Sequence, residues 1–342
     1  MTTHRERIQA AIKGDILDRP PVALWRHFPV DDQGPETLAN ATLHFQQNYD
    51  FDLVKVTPAS SFCVKDWGVQ DEWVGDTEGT RRYTQNIIND PRDWESLPVL
   101  DSTSPHLAGQ LACLRFIRAR LSPDTPLLQT IFNPLSQAKN LAGNELLLEH
   151  LHDRPSSVIK GLRAIAETTR RFVEAARETG IDGIFYAVQH AQANILSYEE
   201  YKLFGLMFDV QAIEPAQSLW CNMLHLHGQE IHFELVHELP FQIVNWHDRE
   251  SHPSLAEAQK LFAGVLCGGI RQDTLVYRDQ TEVQNEATDA IQQTGGRRFI
   301  LGTGCVTPII APHGNILAAR ESPLFFQEAA KRSEGEAGNE VE

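Results

Sequence analysis

Asn222-Met-Leu-His-Leu-His-Gly228 is a short apolar run closed by a glycine, and its reading decides the fold. A strand repeats its side-chain direction every two residues, so a strand here puts His225 and His227 on one face. A metal or a polar substrate requires that arrangement. Runs of similar character recur along the chain: Pro21 to Arg26, Asp52 to Thr57, Leu127 to Phe132, Asp182 to Val188, Gln242 to Trp246, Gly264 to Gly268 and Arg298 to Gly302. Helical patterns lie between most of them, over Pro155 to Thr179, Tyr198 to Leu219, Ser254 to Phe262 and Thr281 to Thr294. Gly264 and Gly295 are placed to end the last two as C-caps. Strand-like runs alternating with helices are the signature of parallel βα units. Eight such units predict an α/β fold, a single (β/α)8 TIM barrel rather than two domains.

The stretch from 59 to 126 is too long for one structureless loop and is expected to be an insertion after the second strand. Within it, Trp73 to Tyr83 reads as a hairpin and Leu107 to Leu121 as a helix, which together would form a lid or wall over the barrel mouth. The barrel is expected to span residues 1 to 331, and the Glu/Gly-rich stretch from Arg332 to Glu342 to be a disordered tail.

A formal charge of −16 over 342 residues disfavours nucleic-acid and anionic-membrane surfaces, which attract basic patches. The first residues have no apolar signal core, and no apolar run is long enough to span a bilayer, so a cytoplasmic location is expected. The five cysteines are odd in number and form no CxxC pair, which argues against a disulfide framework.

Barrel enzymes carry their chemistry at the C-terminal ends of the strands. His227 ends the fifth run, and Cys305 in Leu301-Gly-Thr-Gly-Cys305 follows the eighth, which closes beside the first. Two imidazoles and a thiol match the three-ligand zinc arrangement that leaves a fourth position open. A core histidine and a cysteine serving as a small apolar side chain give the same spacing, so geometry has to decide. Other strand ends carry Arg26 and His27, Gln189 and His190, Trp246 with His247 and Asp248, and Arg271. Each also suits a solvated loop, and together they are candidates for substrate contact.

Arg5-Glu-Arg-Ile-Gln-Ala-Ala-Ile-Lys-Gly with Asp18-Arg-Pro-Pro-Val, Ile195-Leu-Ser-Tyr-Glu-Glu-Tyr, Val265-Leu-Cys-Gly-Gly-Ile and Gly302-Thr-Gly-Cys305 running to Pro312-His-Gly-Asn315-Ile resemble the uroporphyrinogen decarboxylase superfamily over about residues 3 to 320. That resemblance implies a (β/α)8 barrel and one of two chemistries, tetrapyrrole decarboxylation or corrinoid-linked methyl transfer. The decarboxylases have Arg-Gln-Ala-Gly-Arg-Tyr after the first strand, where this chain has Ala23-Leu-Trp-Arg26-His-Phe-Pro29 and keeps at most the second arginine. They have an aspartate ending the second strand, where this chain runs Val54-Lys-Val-Thr-Pro58, and a histidine in Leu-Gly-His-Gly, here Leu301-Gly-Thr-Gly304.

The methyltransferase pattern, His-x-Cys on the fifth strand and Gly-Cys on the eighth, is closer. It implies a zinc site on His225, His227 in place of a cysteine, and Cys305. One thiolate and two imidazoles leave bound zinc at about +1, a stronger Lewis acid than the two-thiolate version. The resulting expectation is zinc-dependent methyl transfer between a small-molecule substrate and a corrinoid carried by a partner protein. The chain has no Asp-x-His-x-x-Gly cobalamin motif of its own. Arg26, His247 and Asp248 would take catalytic roles, with Arg26, His27, Gln189, His190, Trp246 and Arg271 contacting substrate. A metal-free carboxy-lyase using Arg26 and Arg271 as clamps, and a non-catalytic barrel that binds a tetrapyrrole or corrinoid protein, remain as alternatives. A homodimer is compatible with each.

Overall fold

The computed structural model describes residues 2–324. Its strands in chain order are β1 (Val54–Val56), β2 (Gln70–Glu72), β3 (Arg82–Gln85), β4 (Leu127–Phe132), β5 (Gly183–Val188), β6 (Met223–Leu226), β7 (Ile243–Trp246), β8 (Val265–Ile270) and β9 (Phe299–Thr303). Seven of them form one parallel sheet in the order β1-β4-β5-β6-β7-β8-β9, with each strand beside its sequence neighbour in the sheet. Every residue of these seven strands is buried, as expected of a parallel sheet with side chains packed on one face and helices on the other.

The first predicted strand, Pro21 to Arg26, forms no ladder. It is an extended segment with a single parallel bridge, Val22 to Leu301. Leu301 N–H donates to Pro21 O at 2.8 Å and Ala23 N–H to Leu301 O at 2.9 Å, while Asp52 N–H donates to Val22 O at 2.8 Å. The segment therefore bonds both to β9 and to the residues leading into β1, bringing the two edges of the curled sheet together. Pro20 and Pro21 have no N–H to give, and Val22 N–H donates to the Asp52 carboxylate at 2.7 Å instead of to a strand. Asp52 is fully buried and also accepts from Arg7 Nη1 at 2.7 Å, Arg19 Nη1 at 2.7 Å and His4 Nδ1 at 2.9 Å. The N-terminal helix His4–Lys13 is thereby fastened across the N-terminal end of the strands.

Helix starts follow the capping signals. Ser197 and Ser254 each cap a helix whose third residue, Glu200 or Glu257, bonds back to the cap. Gly295 ends the helix Gln280–Thr294 in the left-handed conformation as expected. Gly264 does not play that part. The helix before it stops at Leu261 with Phe262 extended, and Gly264 sits where an added Cβ would come within 2.7 Å of Gln242 O. The predicted helix from Tyr198 to Leu219 is interrupted by a π turn at Lys202–Leu206 and gives way to 3-10 geometry at Glu214–Ser218, where Pro215 cannot continue an α-helix.

Between β1 and β4 the hairpin is present but shifted: its first strand precedes the predicted span, and only Arg82 and Tyr83 of the second fall inside it. Gln70–Glu72 pairs antiparallel with Arg82–Gln85, and 73–81 is the connecting loop. That loop reaches the C-terminal end of the strands: Ile309 N–H donates to Thr77 O at 2.8 Å and Gln272 Nε2 to Glu78 Oε1 at 3.1 Å. The helix Pro105–Arg118 packs against Pro35–Tyr49 and Pro155–Arg177, so it belongs to the outer helical layer. The expected tail at 332–342 lies outside the described residues. No helix among the described residues is long and apolar enough to cross a membrane.

Candidate metal centre

Register fixes which side chains face inward. Lys55 pairs with Leu128, Thr130 with Phe185, Ala187 with His225, His225 with Asn245, and Asn245 with Cys267, so these residues share the inner face. The ring of His225 stacks on that of Phe185, centroids 5.1 Å apart. His227 lies just beyond β6, its N–H donating to Val188 O at 2.9 Å, and Gly228 turns the chain immediately after it with φ 98°. Cys305 follows β9 past Gly304, where a Cβ would come within 2.7 Å of His247 Cα, so glycine is what lets the two loops touch.

The outcome is a cluster of four donors from three strand ends. Ligating atoms of His225, His227, His247 and Cys305 all lie within 4.8 Å of one another. Cys305 Sγ is 3.8 Å from His225 Nε2 and 3.8 Å from His227 Nδ1, and His227 Nδ1 is 3.4 Å from His247 Nε2. Tetrahedral zinc with nitrogen at about 2.0 to 2.1 Å and sulfur at about 2.3 Å sets its donors roughly 3.3 to 3.6 Å apart. The donor set therefore fits zinc in chemistry and nearly in spacing.

A second layer fixes one ligand's proton. Asn245 Nδ2 donates to Cys267 O and to Thr303 O, each at 2.9 Å. Its Oδ1 is then an acceptor 2.7 Å from His225 Nδ1, which must carry the hydrogen. His225 Nε2 is left with a free lone pair aimed at Cys305, the tautomer a metal ligand needs. Burial, with the nearby charges of His227 and His247, holds His225 well below its ordinary value. Burial likewise brings His227 down to about 4 and lowers His247, the latter opposed by Glu250. The imidazoles are thus neutral at pH 7, while burial pushes the Cys305 thiol up to about 11. A bound cation would displace that thiol proton.

A family model described as uroporphyrinogen decarboxylase (URO-D) matches residues 3–322. The chain belongs to the URO-D family. Among solved structures, a methyltransferase from Methanosarcina mazei matches with TM-score 0.83 at 17% identity, covering 96% of this chain and 100% of that one. A B12-independent methionine synthase from Shewanella sp. W3-18-1, in complex with selenomethionine, matches with TM-score 0.60 at 16% identity, covering 92% and 95%. At these identities the likeness is one of fold. No curated protein matches the sequence.

The other predicted site residues of this URO-D family member part company by strand parity. Trp25 faces inward, its ring 5.3 Å from Phe185, which turns Arg26 outward. The Arg26 guanidinium lies over Phe28 and Phe45 and lines a cavity of about 770 Å³ against the helix Pro35–Tyr49. None of the four donors lines that cavity. Trp246 also points outward. It is buried against Phe233 with its Nε1 donating to Pro253 O at 2.8 Å, so it packs the helical layer rather than a substrate.

Asp248 is buried and turned to β8, where its Oδ1 accepts from Gly269 N–H at 3.1 Å. Arg271 donates to Arg249 O at 3.0 Å. Both line a small rim cavity of which the donor His247 is also a wall. His27 and His190 are buried, each with Nδ1 unpartnered, and burial brings both down to about 3. Gln189 accepts from Lys139 Nζ at 3.3 Å.

His247 was expected in a catalytic role, and the structure brings its Nε2 among the metal-type donors. Lys55 was not singled out by the sequence reading. Its amine lies inside the ring of strands, 4.3 Å from the Phe185 centroid and 5.5 Å from that of Trp25. Burial, opposed by Cys305, brings it down to about 7. A lysine in the middle of an apolar strand run, Leu53-Val-Lys-Val, is the signal that was there to be read.

Proposed function

We propose that this chain is a zinc-dependent methyltransferase that moves a methyl group between a small substrate and a corrinoid held by a partner protein. The observation that carries the reading is the convergence of His225, His227, His247 and Cys305 with Asn245 behind His225. Zinc on these side chains would supply Lewis-acid activation of the substrate's sulfur or oxygen. Of the four donors, His225, with its locked tautomer, His227 and Cys305 would hold the metal, and His247 would give way to substrate. Asn245 keeps the His225 proton on Nδ1. The 73–81 loop is the lid that excludes water, as its contacts at Ile309 and Gln272 suggest. One thiolate among neutral imidazoles leaves the site at about +1, which favours a substrate heteroatom that is itself anionic or easily deprotonated.

Metal analysis of protein purified without chelator tests the reading. About one zinc per chain is expected, lost in His227→Ala and in Cys305→Ser, and bound about 10- to 100-fold more weakly in Asn245→Ala. Methylcobalamin, free in solution, stands in for the partner-bound corrinoid, and its demethylation by a panel of thiols should require the metal. Wild-type protein without stoichiometric metal would overturn the proposal. Conversion of uroporphyrinogen to coproporphyrinogen by metal-free protein would replace it with the carboxy-lyase reading.

A further inference from the structure

Lys55 is 7% exposed, and its three N–H groups have one recorded partner, Thr57 Oγ1 at 3.3 Å. No ion pair among the described residues involves it. Trp25, whose ring lies beside the amine, is 2% exposed, and its Nε1–H has no partner at all. An ammonium and an indole N–H can only donate. The lysine has a single hydroxyl acceptor and the indole has none, and two buried donors so under-supplied in one interior leave room for a further acceptor, because a buried donor left unmade costs more than a made bond gains. The aromatic faces of Trp25 and Phe185 stabilise the cation but accept no conventional hydrogen bond. Phe185 is also the ring on which His225 stacks, so this donor pair and the metal cluster are neighbours within one interior.

We propose that Lys55 and Trp25 form the receptor for an anionic oxygen group of the substrate, with a carboxylate as the chemical class, whose other end reaches the His225, His227, His247 and Cys305 cluster. The inference rests on the proposed substrate site at that cluster and adds the class of molecule it takes. A substrate held at both ends is aligned before reaction, and an uncharged analogue of the same shape loses one anchor. The arrangement also excludes bulky uncharged thiols, since the receptor end would leave a cation and an indole N–H buried without an acceptor.

The test uses full-length protein loaded with cobalt(II), whose sulfur-to-metal absorption reports thiol binding, and two probes of equal size, 3-mercaptopropionate and 3-mercaptopropanamide. Wild-type protein is expected to bind the acid about ten- to a hundredfold more tightly than the amide, as a charge-assisted buried hydrogen bond predicts. Lys55→Met should level the two by weakening the acid, Lys55→Arg should keep the preference, and Trp25→Phe should reduce it several-fold. No preference in wild type, or the full preference surviving in Lys55→Met, overturns the proposal. If Lys55→Met does not fold, the amide-to-acid ratio in wild type and Trp25→Phe decides alone.

Calorimetry of metal-stripped protein with glutarate separates the two readings. Lys55-dependent glutarate binding in a protein that takes up no metal would sink the metal reading and keep this one. Stoichiometric metal uptake with no discrimination between acid and amide would do the reverse.

Discussion

Asp52 and Lys55 are three residues apart on one stretch of chain, both buried, and their surroundings are opposite. At the N-terminal end of the strands the Asp52 carboxylate is met by Arg7, Arg19, His4 and the Val22 N–H. Burial alone would raise it, yet His4, Arg19 and Arg7 hold it well below the ordinary carboxylate range. Toward the mouth, Lys55 has one hydroxyl partner and no acid, Trp25 Nε1, His27 Nδ1 and His190 Nδ1 have none, and four metal-type donors converge. A buried charge with every partner in place holds a fold together. Buried polar atoms without partners are what a binding site looks like before its ligand arrives. The same curled sheet carries the first arrangement at one end and the second at the other.

Removing the carboxylate is the strongest way to break that contrast. Asp52→Ala leaves Arg19 in the interior without an acid and takes from Arg7 one of its two carboxylates, Asp18 remaining, and should cost about 3 to 5 kcal/mol in a denaturant melt. The folded fraction should keep its metal content, because nothing in the Asp52 network touches the cluster. A loss of metal in well-folded Asp52→Ala would mean that the two ends are not independent.

The next effect is one of pH, with opposite signs at the two ends. His190 has a folded value of about 3 against an ordinary 6.5, so below pH 6.5 the unfolded chain takes the proton first and stability falls as the pH drops. His190→Gln should therefore gain about 2 kcal/mol relative to wild type between pH 8 and pH 5. His4 is raised by its bond to Asp52. Its contribution is fully present below pH 6.5 and is lost as the pH rises through the raised folded value, so His4→Gln should be most costly in acid and least costly in base. Melts of both variants from pH 5 to 8 should diverge, and parallel curves would erase the distinction.

The smallest effect tests a residue that belongs to neither cluster. Trp246→Phe removes the bond from Nε1 to Pro253 O and part of a fully buried ring, and should cost about 1 to 2 kcal/mol, with zinc content and thiol binding unchanged. A change in thiol binding would return Trp246 to the substrate site.

Much of this architecture is local and could be read in advance. The runs at β4, β5, β6, β7, β8 and β9 are long enough, and bounded clearly enough by glycine, proline and helix caps, for strand type to follow from sequence. The first stave was misread because Pro20, Pro21 and the Asp52 carboxylate remove the donors a ladder needs, and that carboxylate lies thirty residues downstream of Val22. Arg26 and Trp246 were misplaced for a related reason. Each stands at a strand end beside candidate residues, but parity counted from Trp25 and from Asn245 turns both outward. That count could have been made from sequence once strand phase was known.

The sequence by itself determined that parallel strands alternate with helices, that His225 and His227 share a face and that a cysteine follows the last strand, because helix caps and the two-residue strand period act within a few neighbours. Only the tertiary structure decided that His247 joins them, that Asn245 fixes the His225 proton and that Lys55 lies inside the curled sheet with one hydroxyl partner and no acid. Those outcomes depend on register between strands distant in sequence and on closure of the two sheet edges through Val22 and Leu301, and no local pattern encodes either.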